Sequence, residues 1–240
     1  MPSVDLRIVT YNVHRGRGMD RRTIPSRISD VLADLDADII ALQEVVGPGL
    51  SSPGHAEGFG AALGMGWVMA PTRELRRHQF GNVLLSRHPI RDHSQHDLSW
   101  KSSEPRCAQR VEIEVAHGCV QIFNVHLGTA LLERKYQASK LANWVHDRKP
   151  AGPKIVLGDF NEWLRRSPAT TILEERLESV DLVPYLPKRR SYPGFFPLVH
   201  LDHIYYLGAV EVRRVELIRT RAAKIASDHL PLMAEVRVSF

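Results

Sequence analysis

The stretch "VLGDFNEW" (residues 156–163) runs an apolar strand pattern directly into Asp159, with Asn161 two residues on. An ionised carboxylate is costly to bury alone. A strand that ends in one is either capped or belongs to a site. Working outward from it, "KIVLGDF" (154–160) and "DIIALQEV" (38–45) are continuously apolar, which predicts strands covered on both faces. "RVEIEVA" (110–116) alternates apolar and charged residues, as expected for a strand with one wet face. Further strand patterns cover 6–12, 67–71, 81–86, 120–127, 201–207, 210–218 and 231–240.

Helical periodicity falls between them. Residues 21–37 place Ile24, Ile28, Val31, Leu32 and Leu35 on one face, with Pro25 suited to a first turn. Residues 131–147 do the same with Leu131, Tyr136, Leu141 and Val145. Residues 167–179 open with Ser167 as N-cap and a proline behind it. The Gly-, Pro- and Ser-rich segment 46–60 is expected to be a surface loop. "RIVTYNVHRG" (7–16) echoes "VQIFNVHLG" (120–128), and each is followed by a helix and then a strand that ends in acid. Two such α/β halves packed sheet against sheet would form a four-layer sandwich. No composition break divides the chain, so residues 1–240 are read as a single domain.

Composition narrows the function. With 240 residues, 43% hydrophobic and 25% charged, the chain can bury a sizeable core. Cys107 and Cys119 fit no zinc or redox spacing. The N-terminus does not read as a signal peptide, and no run approaches the roughly 18 apolar residues that span a bilayer. A soluble, cytoplasmic protein is therefore expected. The net charge of +5 favours polyanions such as nucleic acid or anionic lipid headgroups. Basic residues cluster at Arg15–Arg22, Arg73–Arg77, Arg165–Arg166 and Lys188–Arg190. A P-loop, a GxSxG elbow, an HExxH pair and a Cys–Arg phosphatase loop are all absent. His93 and His96 are read as surface residues of a polar loop. The acids of "DLDAD" (34–38) are read as a solvated helix end.

The polar residues that close or open apolar strands are Asn12, Glu44, Asn82, His126, Asp159 with Asn161, Asp202 with His203, and Asp228 with His229. So many acids at strand ends are best explained by a cation. Carboxylate and amide oxygens suit hard divalent ions: magnesium or manganese, with calcium also compatible. A hard cation with carboxylates, Asn and His points to phosphoryl chemistry: polarised phosphate, activated water and charge-stabilising donors.

In this order the blocks "TYNVH" (10–14), "ALQEV" (41–45), "GNVLLSRHPI" (81–90), "NVHLG" (124–128), "GDFNEW" (158–163), "LDHIYY" (201–206) and "SDHLP" (227–231) resemble the endonuclease/exonuclease/phosphatase superfamily. That group contains DNase I, exonuclease III-like nucleases, neutral sphingomyelinases and inositol phosphate phosphatases. The chain is most similar to its compact bacterial members. The resemblance implies a DNase I-like α/β/β/α sandwich of two mixed, mainly antiparallel sheets flanked by helices. It implies Glu44 as principal metal ligand, with Asn12 and Asp228 completing the shell. Asp159 would orient or deprotonate the attacking water, or hold a second metal, and Asn161 would position that water and the phosphate. His229 would contact the scissile phosphate, oriented by Asp202, and His126 resembles the second histidine, a general acid. Asn82 and Arg106 would bind phosphate, a salt bridge from Arg106 to Glu104 or Glu112 being the other reading. His14 and His203 receive no role. The activity expected is a metal-dependent phosphodiesterase. DNA is the favoured substrate, a phospholipid or small phosphoester the alternative, and a monomer with no stable protein partner is expected.

Overall fold

The continuous apolar runs become the central strands of two six-stranded sheets. The computed structural model describes residues 1–50, 52–147, 152–163, 167–177, 180–181 and 190–240. Arg165, Arg166, Lys188 and Arg189, singled out as basic clusters, lie outside the described residues.

The first sheet has the order β11-β12-β1-β2-β4-β3: Val210–Leu217, Leu232–Ser239, Ser3–Asn12, Ile39–Gly49, His78–Ser86 and Gly66–Leu75. The second has the order β5-β6-β7-β8-β10-β9: Ile90–Asp97, Cys107–Val115, Gly118–His126, Lys154–Asp159, Asp202–Leu207 and Val180–Asp181. In each, one central pair is parallel, β1 with β2 and β7 with β8, and the other pairs are antiparallel. The two orders superpose position for position, with β1 on β7 and β2 on β8. The short sequence echo is therefore the trace of an architectural repeat.

Period-two alternation explains the layers. Ile122, Ile155, Leu157 and Ile204 join the core between the sheets, together with Ile8, Ala41 and Leu84. Their neighbours Phe123, Val156 and Tyr205 point outward to meet α3 (Leu131–His146) and α4 (Pro168–Leu177). On the other side α1 (Ser26–Ala33), α2 (Ala56–Leu63) and α5 (Arg221–Ala226) cover the first sheet. Burial on both faces of β2 and β8 is what their unbroken apolar runs demanded. In β6 the alternation holds as read: Val111, Ile113 and Val115 are buried while Glu112 and Glu114 are partly exposed.

Four expectations need correction. Segment 46–60 is not a loop throughout: β2 continues to Gly49, and α2 begins at Ala56 because Ala56, Phe59 and Gly60 bury against the core. The helix expected over 21–37 is confined to Ser26–Ala33, since Arg17 and Thr23 form a β-bridge before it. His93 and His96 lie in strand β5, where His96 stacks on Trp144 at 5.2 Å. Helix α3 turns Ala138, Leu141, Ala142 and Val145 inward, leaving Leu131 and Tyr136 exposed. Ser167 caps α4 as expected, its Oγ accepting from the Ala169 N–H at 3.2 Å.

A buried polar seam locks the sheets together. Gln43 Nε2 donates to Asn124 Oδ1 at 2.8 Å, and Asn124 Nδ2 donates to the carbonyls of Leu42 (3.1 Å) and Val83 (3.0 Å) and to Gln109 Oε1 (3.1 Å). Gln43 Oε1 is left without a partner, but the remaining hydrogen bonds are directional, unlike apolar contact, and fix how one sheet sits on the other.

Candidate active site

The C-terminal ends of β1, β7 and β8, the bulge in the middle of β2 and the start of β10 lie together at one end of the sandwich. Parallel pairing within each sheet and antiparallel pairing of β10 to β8 bring Asn12, Glu44, His126, Asp159 and Asp202 to the same edge. Asp202 sits directly opposite Asp159, and His126 beside it.

Local backbone geometry aims two of these groups. The pairing of β2 with β4 shifts register between Leu42 and Val45, and Glu44 takes φ +57° there. Such a bulge re-aims a side chain out of the strand's alternation. Asn161 adopts φ +50°, a conformation that Asn tolerates better than most residues. Its N–H donates to Asp159 Oδ1 at 2.9 Å and its Nδ2 to the Leu127 carbonyl at 2.8 Å. Gly158, between β7 and β10, has φ +150°, and a Cβ there would lie 1.9 Å from the Val125 carbonyl oxygen.

Asp159 Oδ2 is the hub. Asn12 Nδ2 donates to it at 2.9 Å, while His126 Nε2 and His229 Nε2 stand 3.5 and 3.6 Å away. His229 Nδ1 bonds Asp202 Oδ2 at 3.0 Å. All five residues are buried, so their electrostatics are strong. Burial raises the Asp159 carboxyl to about 6; the charge of His229 opposes that rise and Asp202 adds to it. Burial disfavours the charged His229, but the carboxylates of Asp202 and Asp159 overcome it and hold the imidazolium to about 10. Burial also works against ionised Asp202, yet His229 outweighs it and the carboxyl lies below its usual range. His126 is the opposite case. Burial, then Arg106 and His229, push its pKa well below 6.5, so it is neutral at pH 7.

Around this hub, Asn12 Nδ2 lies 3.4 Å from Glu44 Oε1, and Arg15 Nε lies 3.9 Å from Glu44 Oε2. Asp228 Oδ2 is 3.4 Å from His14 Nδ1. Glu44 and Asp228 are only partly exposed, and the partners named are long, which suits carboxylates meant for a cation. With Asn12 they are the residues expected from sequence to hold a cation; here Asn12 turns Nδ2 toward Glu44 and Asp159 while its Oδ1 accepts from the His14 N–H at 3.1 Å. A second group, Asp159, Asp202 and His229, brings ligand atoms within 4.8 Å of one another and is also able to hold a metal ion. Its direct Asp202–His229 hydrogen bond favours a charged dyad there.

Arg106 faces the site, with Nη1 3.5 Å from His126 Nδ1, and pairs through Nη2 with Glu104 Oε2 at 3.0 Å. Glu112 instead pairs with Arg110. Asn82, expected to donate to phosphate, sends Nδ2 to the Cys107 and Asn124 carbonyls, both at 3.3 Å. Donation to a phosphate would require one of those bonds to open. His203 packs among Phe160, His200 and Tyr205. Two contributors were not anticipated. Tyr192 lies over His229 with ring centroids 5.0 Å apart, with Trp163 edge-on to it at 5.8 Å. Ser227 Oγ donates to the Asn12 carbonyl at 2.8 Å, tying the His229 loop to the end of β1. The aromatic content of "RRSYPGFF" (189–196) was the sequence signal for Tyr192.

A helix-flanked double sheet with carboxylates, amides and a charged histidine at one edge defines a class of sandwich hydrolases acting on phosphoesters. The Endonuclease/Exonuclease/phosphatase family profile matches residues 9–229, and the chain belongs to that family. Its members generally depend on a divalent metal ion. The chain is 28% identical over 244 residues to YbhP of Escherichia coli (strain K12), described as uncharacterized, covering 97% of this chain and 96% of that one. Its fold matches the Bacteroides thetaiotaomicron mannosyl-6-phosphatase Bt3783 with a TM-score of 0.80 at 19% identity, covering 96% and 99% of the two chains. It matches D. rerio TDP2 complexed with single strand DNA product with a TM-score of 0.76 at 16% identity, covering 97% and 98%. No helix among the described residues is long and apolar enough to cross a membrane.

Proposed function

We propose that this protein is a divalent-metal-dependent phosphodiesterase that cleaves its substrate with an activated water. The observation that carries this reading is the convergence of Asn12, His126 and His229 on one buried oxygen of Asp159. Glu44, Asn12 and Asp228 would hold the cation, magnesium or manganese by donor type, with calcium next. A cation there supplies polarisation of a phosphate oxygen and stabilisation of the leaving oxygen.

The remaining steps belong to the chain's own groups. Asp159, with its pKa raised to about 6, is ionised at neutral pH yet basic enough to take a proton from water. Asn161 orients Asp159 through its backbone N–H. His229, kept charged by Asp202, presents Nε2–H to the oxygens of the pentacovalent phosphate. His126 enters neutral and offers a ring N–H; to act as the general acid it must first gain a proton as phosphate charge arrives beside it. Arg106 supplies a fixed positive charge next to His126.

The net charge of +5 and the likeness to a fold solved with single strand DNA product support nucleic acid as the substrate class. A phospholipid is the second reading, favoured by the exposure of Phe195 and Phe196. The test is nicking of supercoiled plasmid, and hydrolysis of bis(p-nitrophenyl) phosphate, with magnesium, manganese or EDTA. Metal-dependent turnover that is lost in Asp159→Asn is expected. Wild-type protein inert towards both substrates under every metal would sink the phosphodiesterase reading.

A further inference from the structure

The exposed large apolar side chains are not scattered. Apart from Met1, those among the described residues lie on segments that leave or enter the sheets at the active-site end. Leu50 (91% exposed) follows β2, Leu132 (66%) opens α3 just after β7, and Trp163 follows β8. Phe195 (67%), Phe196 (70%) and Leu198 precede β10. The opposite end carries exposed charge instead, as at Asp34, Asp36 and Arg87. Single exposed apolar residues are ordinary, but a concentration on one functional face marks an interaction surface.

The same end is basic. Arg17 and Arg22 are exposed on the segment after β1, and Arg76 and Arg77 cap the β3–β4 hairpin. The hairpin arm places Arg77 beside Gly49, the residue before Leu50. Arg190 and Arg221 are exposed near the segment that carries His229. Apolar side chains interleaved with arginines around one rim are the composition of a surface that binds anionic lipid: the arginines meet headgroups while Leu, Phe and Trp enter the acyl boundary. Nucleic acid would use the arginines, and aromatic rings could stack on its bases, but Leu50, Leu132 and Leu198 have no π-face to offer.

The apolar rim is also continuous with the catalytic groups. Trp163 touches Tyr192, Tyr192 covers His229, and the Gly194 N–H, one residue before Phe195, donates to the Asp228 carbonyl at 2.6 Å. Whatever docks on this rim is delivered to His229.

We infer that the active-site end of the sandwich also docks on an anionic phospholipid bilayer, which holds the mouth of the His229 site at the membrane surface. This rests on the phosphodiesterase reading for its chemistry but not for its binding. The experiment is cosedimentation of the full chain, in EDTA, with phosphatidylcholine vesicles with or without phosphatidylglycerol. The variants are Phe195→Ser with Phe196→Ser, Leu132→Ser, and Arg87→Glu at the far end. These side chains are exposed, so thermal melts should match wild type. Wild type should pellet with the phosphatidylglycerol vesicles. The double Phe variant should lose about tenfold or more in partition, as expected for removing two inserted rings. Leu132→Ser should lose partition to a smaller extent, and Arg87→Glu should partition as wild type does. Salt should weaken binding without abolishing it. Failure of wild type to pellet, or a double variant that partitions normally, overturns the inference. Single-stranded DNA binding that depends on the two Phe residues, without vesicle binding, overturns it in favour of base stacking. Hydrolysis of bis(p-nitrophenyl) phosphate by wild type is read separately, and its absence overturns the phosphodiesterase reading alone.

Discussion

At His229 a charge is kept in a place that should repel it. Burial opposes the imidazolium, and only the facing carboxylates of Asp202 and Asp159 hold it, at about 10. In the metal-free protein in EDTA, its ring resonances should therefore stay in the protonated position through pH 8, and Asp202→Asn should bring the titration down towards neutrality. Histidine NMR reads both, and a ring titrating near pH 6.5 in each protein would refute the dyad. The linkage has a definite sign. The folded value of His229 lies above its ordinary 6.5, so its contribution to stability is full below pH 6.5 and is lost as pH rises through about 10. Asp159, also raised, to about 6, adds a loss of stability as pH rises from 3.8 through 6. Turnover should fall below pH 6 as Asp159 protonates, and Asp159→Asn should lower kcat by about 10²-fold or more, the usual weight of a general base. Polar residues closing apolar runs made Asp159, Asn161 and Asp202 stand out in the sequence, and Glu44 as well, although β2 runs past it to Gly49 and a bulge, not a strand end, aims it. The use of Asn82's donors was not legible, because its carbonyl partners lie in the other sheet, 25 and 42 positions away.

At the scale of elements, reading succeeded where a strand buried two faces or alternated cleanly, as in β2, β6 and β8. It failed where tertiary packing overrode local composition. β5 is an edge strand with a polar sequence, so its histidines imitated a loop. α2 holds two glycines, yet forms because Ala56 and Phe59 have a core to enter. The α3 face was misjudged because its inward positions include Arg134 and Gln137, whose polarity hid them. The junction of β7 and β8 supports a prediction. Gly158→Ala would drive a Cβ against the Val125 carbonyl, so it should destabilise the fold by about 3 kcal/mol. Denaturant unfolding measures this, and a melt unchanged from wild type would show that β8 can shift to make room.

For the whole molecule, the repeat of one strand order across two sheets divides the site. The first sheet supplies Asn12 and Glu44; the second supplies His126, Asp159 and Asp202. A cation that bridges groups at this edge should stabilise the entire fold, not one element. Magnesium or manganese at about 100-fold above its Kd should add about 2.7 kcal/mol, a rise of several degrees in Tm. Calorimetry should show that rise in wild type and its loss in Glu44→Ala; an equal shift in the variant would remove Glu44 from the cation site. The seat of β1 has a consequence for the cell that makes the protein. Its partners are β2 on one side and, along Ser3–Thr10, the far later β12 on the other. Asp228 and His229 lie just ahead of β12 in the chain. Seating Asp228 and His229 beside Asn12 therefore requires a pairing between segments more than 220 positions apart, a contact slow to form in the cell as in the test tube.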